Sequence, residues 1–150
     1  MIGIEEPEIS RITEKIFIGN TSDATNPEKL IDLGITYVLC VAADWYKYFK
    51  HIPHDKIQYC TVGLIDGDGN EHERFNQAIE ILAGALDRGH KVLVHCHQGV
   101  SRSPAVVITY LAKKLGKRFH EVEDFVVPER PYIKPHRKLV ELGKRYLGEE

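Results

Sequence analysis

Residues 91–115 constrain the fold more than any other part of the chain. Lys91-Val-Leu-Val-His95 is a continuous apolar run that predicts a strand buried on both faces. Pro104 to Leu115 predicts a helix that is apolar nearly all round as far as Leu111, with Gly116 to stop it. A buried strand leading through a short loop into a buried helix needs a sheet covered by helices. The rest of the chain agrees, because short β-branched runs alternate with helical segments. The expected fold class is α/β: a central mixed, mainly parallel sheet of about four or five strands with helices on both faces.

The other elements follow from local signals. Ile12 to Ile18 predicts a strand or hairpin. Asn26-Pro27 predicts a capped helix start, and that helix runs to Gly34. Tyr37 to Val41 and Gln58 to Val62 predict strands, joined by an irregular or helical connection over residues 44–56 that includes Trp45, Tyr46, Tyr48, Phe49 and Pro53. Gly63 to Asn70 is a glycine-rich loop. Asn70 with Glu73 three residues on predicts a capping box that opens a helix carrying Phe75, Ala78, Ile79, Leu82 and Leu86, with Gly89 after its end. Two further helices are expected near His120–Val127 and Pro135–Leu147.

At 150 residues the chain has the size of one domain, read here as a single catalytic unit over 1–150 with a short extension at 1–8. A composition of 43% hydrophobic and 28% charged residues is that of an ordinary globular domain and excludes disordered, collagen-like and coiled-coil chains. Charge-free apolar stretches such as Ser103 to Ala112 are far shorter than the roughly 18 residues of a membrane span. Met1 to Ser10 carries Glu5, Glu6 and Glu8 and has no apolar core, unlike a secretory or transit peptide. The expectation is a complete cytoplasmic protein without a membrane partner.

A net charge of −2 disfavours nucleic acid as a partner, but the charge is uneven: residues 1–100 carry net −6 and residues 101–150 net +4. This unevenness is either ordinary surface variation or a last third that helps attract an anion. The three cysteines, Cys40, Cys60 and Cys96, are an odd number without a CxxC pair, which argues against a disulfide framework and for a functional thiol. Nothing in the sequence fixes the oligomeric state; a monomer suffices.

The chemistry concentrates in Val94-His-Cys-His-Gln-Gly-Val-Ser-Arg-Ser-Pro104. A loop between a strand end and a helix start offers free backbone N–H groups and the positive end of the helix, which together bind anions. Gly99 permits the tight turn, and Cys96 stands at the mouth of the loop, where this field favours a thiolate. Arg102 adds a planar fork for two phosphate oxygens. A nucleophile, an oxyanion cradle and a bidentate cation within seven residues suit attack on a phosphate ester. His95 and His97 bracket Cys96, but no second ligand pair has zinc spacing, so no metal is expected.

The run His95-Cys96-x5-Arg102-Ser103 is similar to the signature of the cysteine-based protein tyrosine phosphatases, and Ser101-Arg102-Ser103-Pro104 resembles the dual-specificity branch. The resemblance spans roughly Ile9 to Leu147. Ile9 to Gly19 resembles the family's opening strand, Leu33 to Leu39 its next helix–strand junction, and Arg130-Pro-Tyr-Ile-Lys-Pro135 the segment before its last helix. There the family has Asn after the proline and this chain has His136, a departure that bears on a loop-supporting hydrogen bond rather than on the chemistry.

The resemblance implies that Cys96 attacks phosphorus and that the N–H groups of His97, Gln98, Gly99, Val100, Ser101 and Arg102, with the Arg102 side chain, hold the phosphoryl oxygens. It also implies that Ser103 donates to the cysteine sulfur, that His95 supports the loop from behind, and that neither a metal nor any other cofactor is needed. The general acid is an aspartate on the loop before the helix preceding the signature strand. Asp66 and Asp68 both qualify; Leu64 to Asn70 resembles a recurring form of that loop in which the first aspartate serves, which favours Asp66. Gly67 and Gly69 would let this loop close.

The implied substrates are phosphorylated proteins, with phosphotyrosine and also phosphoserine or phosphothreonine in a shallow pocket. RNA 5′ ends or phosphoinositides are the alternative substrates, and a phosphate-binding module without turnover or a rhodanese-like sulfur carrier the alternative classes. Cys40, near the end of a central strand, is a possible redox partner for Cys96, against the reading of a small core residue.

Overall fold

The computed structural model describes residues 8–44 and 53–149. The described strands are β1 (Ser10–Arg11), β2 (Ile16–Gly19), β3 (Tyr37–Ala42), β4 (Gln58–Leu64) and β5 (Val92–His95). They form a five-stranded sheet in the order β1-β2-β5-β3-β4. β1 and β2 make an antiparallel hairpin at one edge, and the remaining pairings are parallel. This is the mixed, mainly parallel sheet expected. The strand most apolar in sequence, β5, lies between β2 and β3, with Val94 opposite both Ile18 and Leu39.

The helices are α1 (Thr21–Ala24), α2 (Pro27–Asp32), α3 (His72–Asp87), α4 (Arg102–Leu115), α5 (Phe119–Val126) and α6 (Arg137–Tyr146). Side chains alternate across the central strands, as the period of two requires. Ile16, Ile18, Leu39, Val41, Val92 and Val94 join a core with residues of α3, α4, α5 and α6. Phe17, Val38 and Leu93 face the other way and pack with Ala24 and Leu30 of α1 and α2. Every residue of α4 from Arg102 to Thr109 is buried, in line with its all-round apolar sequence.

The expected 44–56 connection lies mostly outside the described residues; its described end contains a His54–Ile57 bridge. Three local expectations are corrected. The strand expected at Gln58–Val62 continues through Gly63 and Leu64, because an extra residue in β4 shifts the register between Cys40 and Ala42 and pairing then resumes with Leu64, fully buried, opposite Ala42. The strand or hairpin expected from Ile12 is a hairpin, but residues 12–15 are its turn and the strand begins only at Ile16; in the turn Thr13 Oγ1 accepts from the N–H groups of Lys15 and Ile16. Asn70 does not cap α3: Glu71 holds the N-cap position without a side-chain bond. The Asn70 side chain instead accepts from Ile65 N at 2.8 Å and donates to Ile65 O at 2.8 Å and Gly67 O at 3.3 Å. Local loop carbonyls and amides outcompete the helix end for this side chain.

Leu93 is fully buried at the centre of the sheet. Leu93→Ala should lower stability by about 2–5 kcal/mol, read as a shift in the urea unfolding midpoint with an unchanged denaturant slope.

Candidate active site

The loop from Cys96 to Ser101 joins the carboxyl end of β5 to α4, where open α/β sheets place their ligands. Its carbonyl groups are held from outside the loop or by the first turn of α4. Cys96 O accepts from Thr21 Oγ1 at 3.2 Å and lies 3.1 Å from His95 Nδ1. His97 O accepts from Thr21 N at 3.0 Å, Val100 O from Lys134 N at 2.7 Å, and Ser101 O from Ala105 N at 3.1 Å. Gln98 O and Gly99 O accept from Nη2 and Nε of Arg130, at 3.1 and 2.8 Å. With the carbonyls turned outward, the N–H groups of Gln98 to Arg102 have no acceptor among the described residues and are left to an anion.

Arg130 is fully buried. Besides the two loop carbonyls it donates to Glu8 O, to Ser10 Oγ at 2.8 Å and to Ile18 O at 3.4 Å. Burial pulls its pKa below the ordinary arginine value, and the charges of Asp23, Tyr132 and Cys96 oppose that. Gly99 sits against it with φ +69°. A Cβ there would stand 2.6 Å from Arg130 Nη2 and 2.6 Å from Gly19 O, so both backbone conformation and space demand glycine.

Cys96 lines a cavity of about 510 Å³ together with Asp66, His97, Gln98, Val100, Ser101, Arg102, Lys134, Pro135, His136 and Arg137. Ser103, buried in the first turn of α4, places Oγ 3.2 Å from Cys96 Sγ. Arg102 is 6% exposed, so its head group is fixed rather than waving in solvent. Its Nη1 donates to Leu64 O at 3.0 Å and to Asp44 Oδ1 at 3.2 Å. The Nε–Nη2 edge, the one that forks onto two oxygens, has no partner among the described residues. His95 is fully buried, and an Nδ1 facing a carbonyl must carry the proton.

Asp66 and Asp68 part company. Asp66 borders the Cys96 cavity, and its Oδ1 accepts from Ser101 Oγ at 2.6 Å. Asp68 accepts from Gly69 N at 2.9 Å within its own turn and borders a separate depression with Lys138 and Arg145. Cys40 lies in the same buried cluster as Cys96 and pairs in register with His95. Burial pushes the Cys40 thiol up to about 12, so it is a neutral core residue at rest. The residue after Pro135, His136, serves the loop through its backbone N–H, which donates to Ser101 Oγ at 2.8 Å, while its Nδ1 caps α6. Among the described residues no three metal-ligating side chains cluster.

Sequence reasoning missed three contributors. Asp44, just past β3, holds Arg102 and also lies 2.9 Å from His97 Nε2. Only its place after a strand end marked it. Thr21 lies within the Asn20/Asp23 capping box of α1, a pattern visible as Asn-x-x-Asp after β2. Arg130 carried no sign in the sequence that it would be buried.

The model of the dual specificity phosphatase catalytic domain matches residues 16–144. The chain belongs to this family. It is 31% identical over 136 residues to human dual specificity protein phosphatase 9, covering 90% of this chain and 35% of that one. It is 30% identical over 130 residues to dual specificity protein phosphatase 1B of Arabidopsis thaliana, covering 86% and 75%. It is 29% identical over 140 residues to human protein phosphatase Slingshot homolog 2, covering 93% and 10%. The chain thus spans about a tenth and a third of the two human proteins' lengths. In structure it resembles the human tyrosine phosphatase-like serine/threonine/tyrosine-interacting protein, with a TM-score of 0.85, 28% identity and coverage of 95% and 97%. None of the described helices is long and apolar enough to cross a membrane.

Gly99→Ala should weaken inhibition by vanadate at least tenfold and lower the melting temperature, because the loop and β2 must separate. Partial burial pushes the Asp44 carboxyl up, but hydrogen bonds from Arg102 and His97 outweigh it and hold it below the usual carboxylate range. A depressed pKa contributes stability above the unfolded value of about 3.9 and loses it as pH falls through the folded value. Wild type should therefore be slightly more stable than Asp44→Asn at neutral pH, and the gap should close in acid. Urea unfolding at a series of pH values measures this; a gap constant into acid contradicts the pairing.

Proposed function

We propose that this protein hydrolyses phosphate monoesters on proteins, phosphotyrosine and also phosphoserine or phosphothreonine, through a phosphocysteine on Cys96. The observation that carries the reading is the loop itself: its carbonyls are engaged on the outside, and the N–H groups of Gln98 to Arg102 have no acceptor among the described residues, beside a buried thiol and a forked arginine. Family membership supports the reaction class, and the absence of any lysine among residues 97–101 agrees with a protein substrate rather than a polyanionic lipid head group.

In the first step the Cys96 thiolate attacks phosphorus, and the S–P bond forms as the P–O ester bond breaks. Asp66, protonated, gives its proton to the departing oxygen. The N–H groups and Arg102 hold the three equatorial oxygens as charge redistributes. In the second step water attacks phosphorus and gives its proton to Asp66. The S–P bond breaks, the thiolate returns with a hydrogen bond from Ser103, and inorganic phosphate leaves. Asp66 is preferred over Asp68 because it borders the same cavity as Cys96 and Asp68 does not.

Hydrolysis of para-nitrophenyl phosphate in EDTA tests the reaction. Cys96→Ser should lower kcat by roughly 10⁴-fold or more. Asp66→Asn should lower it by roughly 10²–10⁴-fold, and Asp68→Asn by much less. Loss confined to Asp68→Asn would move the acid; an inactive wild type that still binds phosphate would make the protein a binding module. Parallel assays on phosphopeptides, phosphoinositides and 5′-triphosphate RNA should favour the peptides.

Cys40 is further proposed as a redox partner, on the strength of its register beside His95 and its shared cluster with Cys96. Peroxide would convert Cys96 to a sulfenic acid, and condensation with the Cys40 thiol would release water and form a disulfide. Mass mapping after peroxide treatment should find a Cys40–Cys96 crosslink, formed slowly because Cys40 is so weakly acidic; without that crosslink Cys40 is a core residue only.

A further inference from the structure

Ser101 occupies the N-cap position of α4, where a serine ordinarily turns its hydroxyl onto the first-turn N–H groups. Here it makes no such bond. Its Oγ lies 2.6 Å from Asp66 Oδ1 and 2.8 Å from His136 N. The donor and acceptor roles are forced. A backbone N–H can only donate, so Oγ accepts from His136, and the single hydroxyl hydrogen goes to the carboxyl group. Three separate segments meet at this one oxygen: the 65–70 loop, the anion loop and the residues before α6. Lys134 N on Val100 O, at 2.7 Å, fixes the same junction one residue along.

Asp66 is exposed and has no other polar partner among the described residues. The Asn70 side chain closes the 65–70 loop on itself but leaves the carboxyl group free to rotate. Ser101 is what ties it to the rim of the Cys96 cavity. We infer that Ser101 is a positioning residue for the proton transfer: its hydroxyl holds Oδ1 of Asp66, so that Oδ2 is the oxygen that carries the proton toward the leaving group. The helix end gives up a side-chain cap in the exchange, which also keeps the first-turn N–H groups clear for phosphate. This inference rests on the phosphatase reading with Asp66 as the acid.

A poorly placed acid hurts most when the departing oxygen most needs a proton. The test compares dinitrophenyl phosphate, whose leaving group departs as a stable anion, with phenyl phosphate, whose leaving group does not. Wild type, Ser101→Ala, Ser101→Thr, Asp66→Asn and the Ser101→Ala/Asp66→Asn double variant are assayed on both, with vanadate inhibition as a measure of the cradle. Ser101→Ala should lose roughly tenfold or more in kcat on phenyl phosphate and distinctly less on the dinitrophenyl ester. Threonine, which keeps the hydroxyl, should restore most of the loss. Vanadate inhibition should stay within about twofold of wild type, and the double variant should be no worse than Asp66→Asn.

An equal loss on both esters, no loss, or a loss matched by weaker vanadate inhibition overturns the positioning role. If Asp66→Asn shows the steep leaving-group dependence and Ser101→Ala does not, this inference alone falls. If Asp66→Asn is itself flat, the acid assignment falls and takes the inference with it.

Discussion

A single buried guanidinium organises the site. Arg130 has no exposed surface, and each part of its head group donates to oxygen: Nε and Nη2 to the anion loop, Nη1 to the β1–β2 hairpin and the residues before it. An isolated charge in a protein interior costs several kcal/mol. Here carbonyl oxygens supply the compensation, and in doing so they become fixed in direction. A carbonyl that points at Arg130 obliges the neighbouring N–H groups to point elsewhere. The polarity of the anion cradle is thus set from behind, by a residue that never touches the cavity.

The same division runs around the rest of the site. Thr21, His95 and Lys134 hold carbonyls on the outer side. Asp44 and Leu64 O take the outer nitrogen of Arg102 and leave its inner edge open. Each partner comes from a different part of the chain, and β5 brings them together because it is inserted between β2 and β3. The sheet order is therefore part of the chemistry. Thr21 follows β2, Asp44 follows β3, Leu64 ends β4, and all of them converge on the carboxyl end of β5.

Much of this was legible in the sequence. The α/β class, the buried β5–α4 unit and the juxtaposition of Cys96 with Arg102 follow from apolar patterning and from spacing along one short stretch, whereas Ser103 was implied by the family resemblance. What escaped was non-local. Asn70 looked like a helix cap because its neighbours fit a capping box; the carbonyls and amides that claimed it belong to the turn five residues back. Asp44 and Arg130 are ordinary charged residues in sequence, and their roles exist only after the fold places them beside Arg102 and the anion loop. The sequence told Asp66 from Asp68 only by resemblance, because what separates them in the structure is non-local: Asp66 borders the Cys96 cavity and accepts from Ser101, while Asp68 binds Gly69 within its own turn.

The reach of Arg130 along the chain has a consequence for biosynthesis. Its oxygen partners lie at positions 8, 10, 18, 98 and 99, separations of up to 122 residues. A ribosome delivers the chain from the amino terminus. Cys96 and its loop therefore emerge before the residue that orients their peptide groups has been made, and Ile18 of the hairpin waits 112 residues of synthesis for Arg130. The nascent chain carries the Cys96 thiol in a loop whose carbonyls still lack their buried partner, and the loop takes its final shape only once Arg130 has been added.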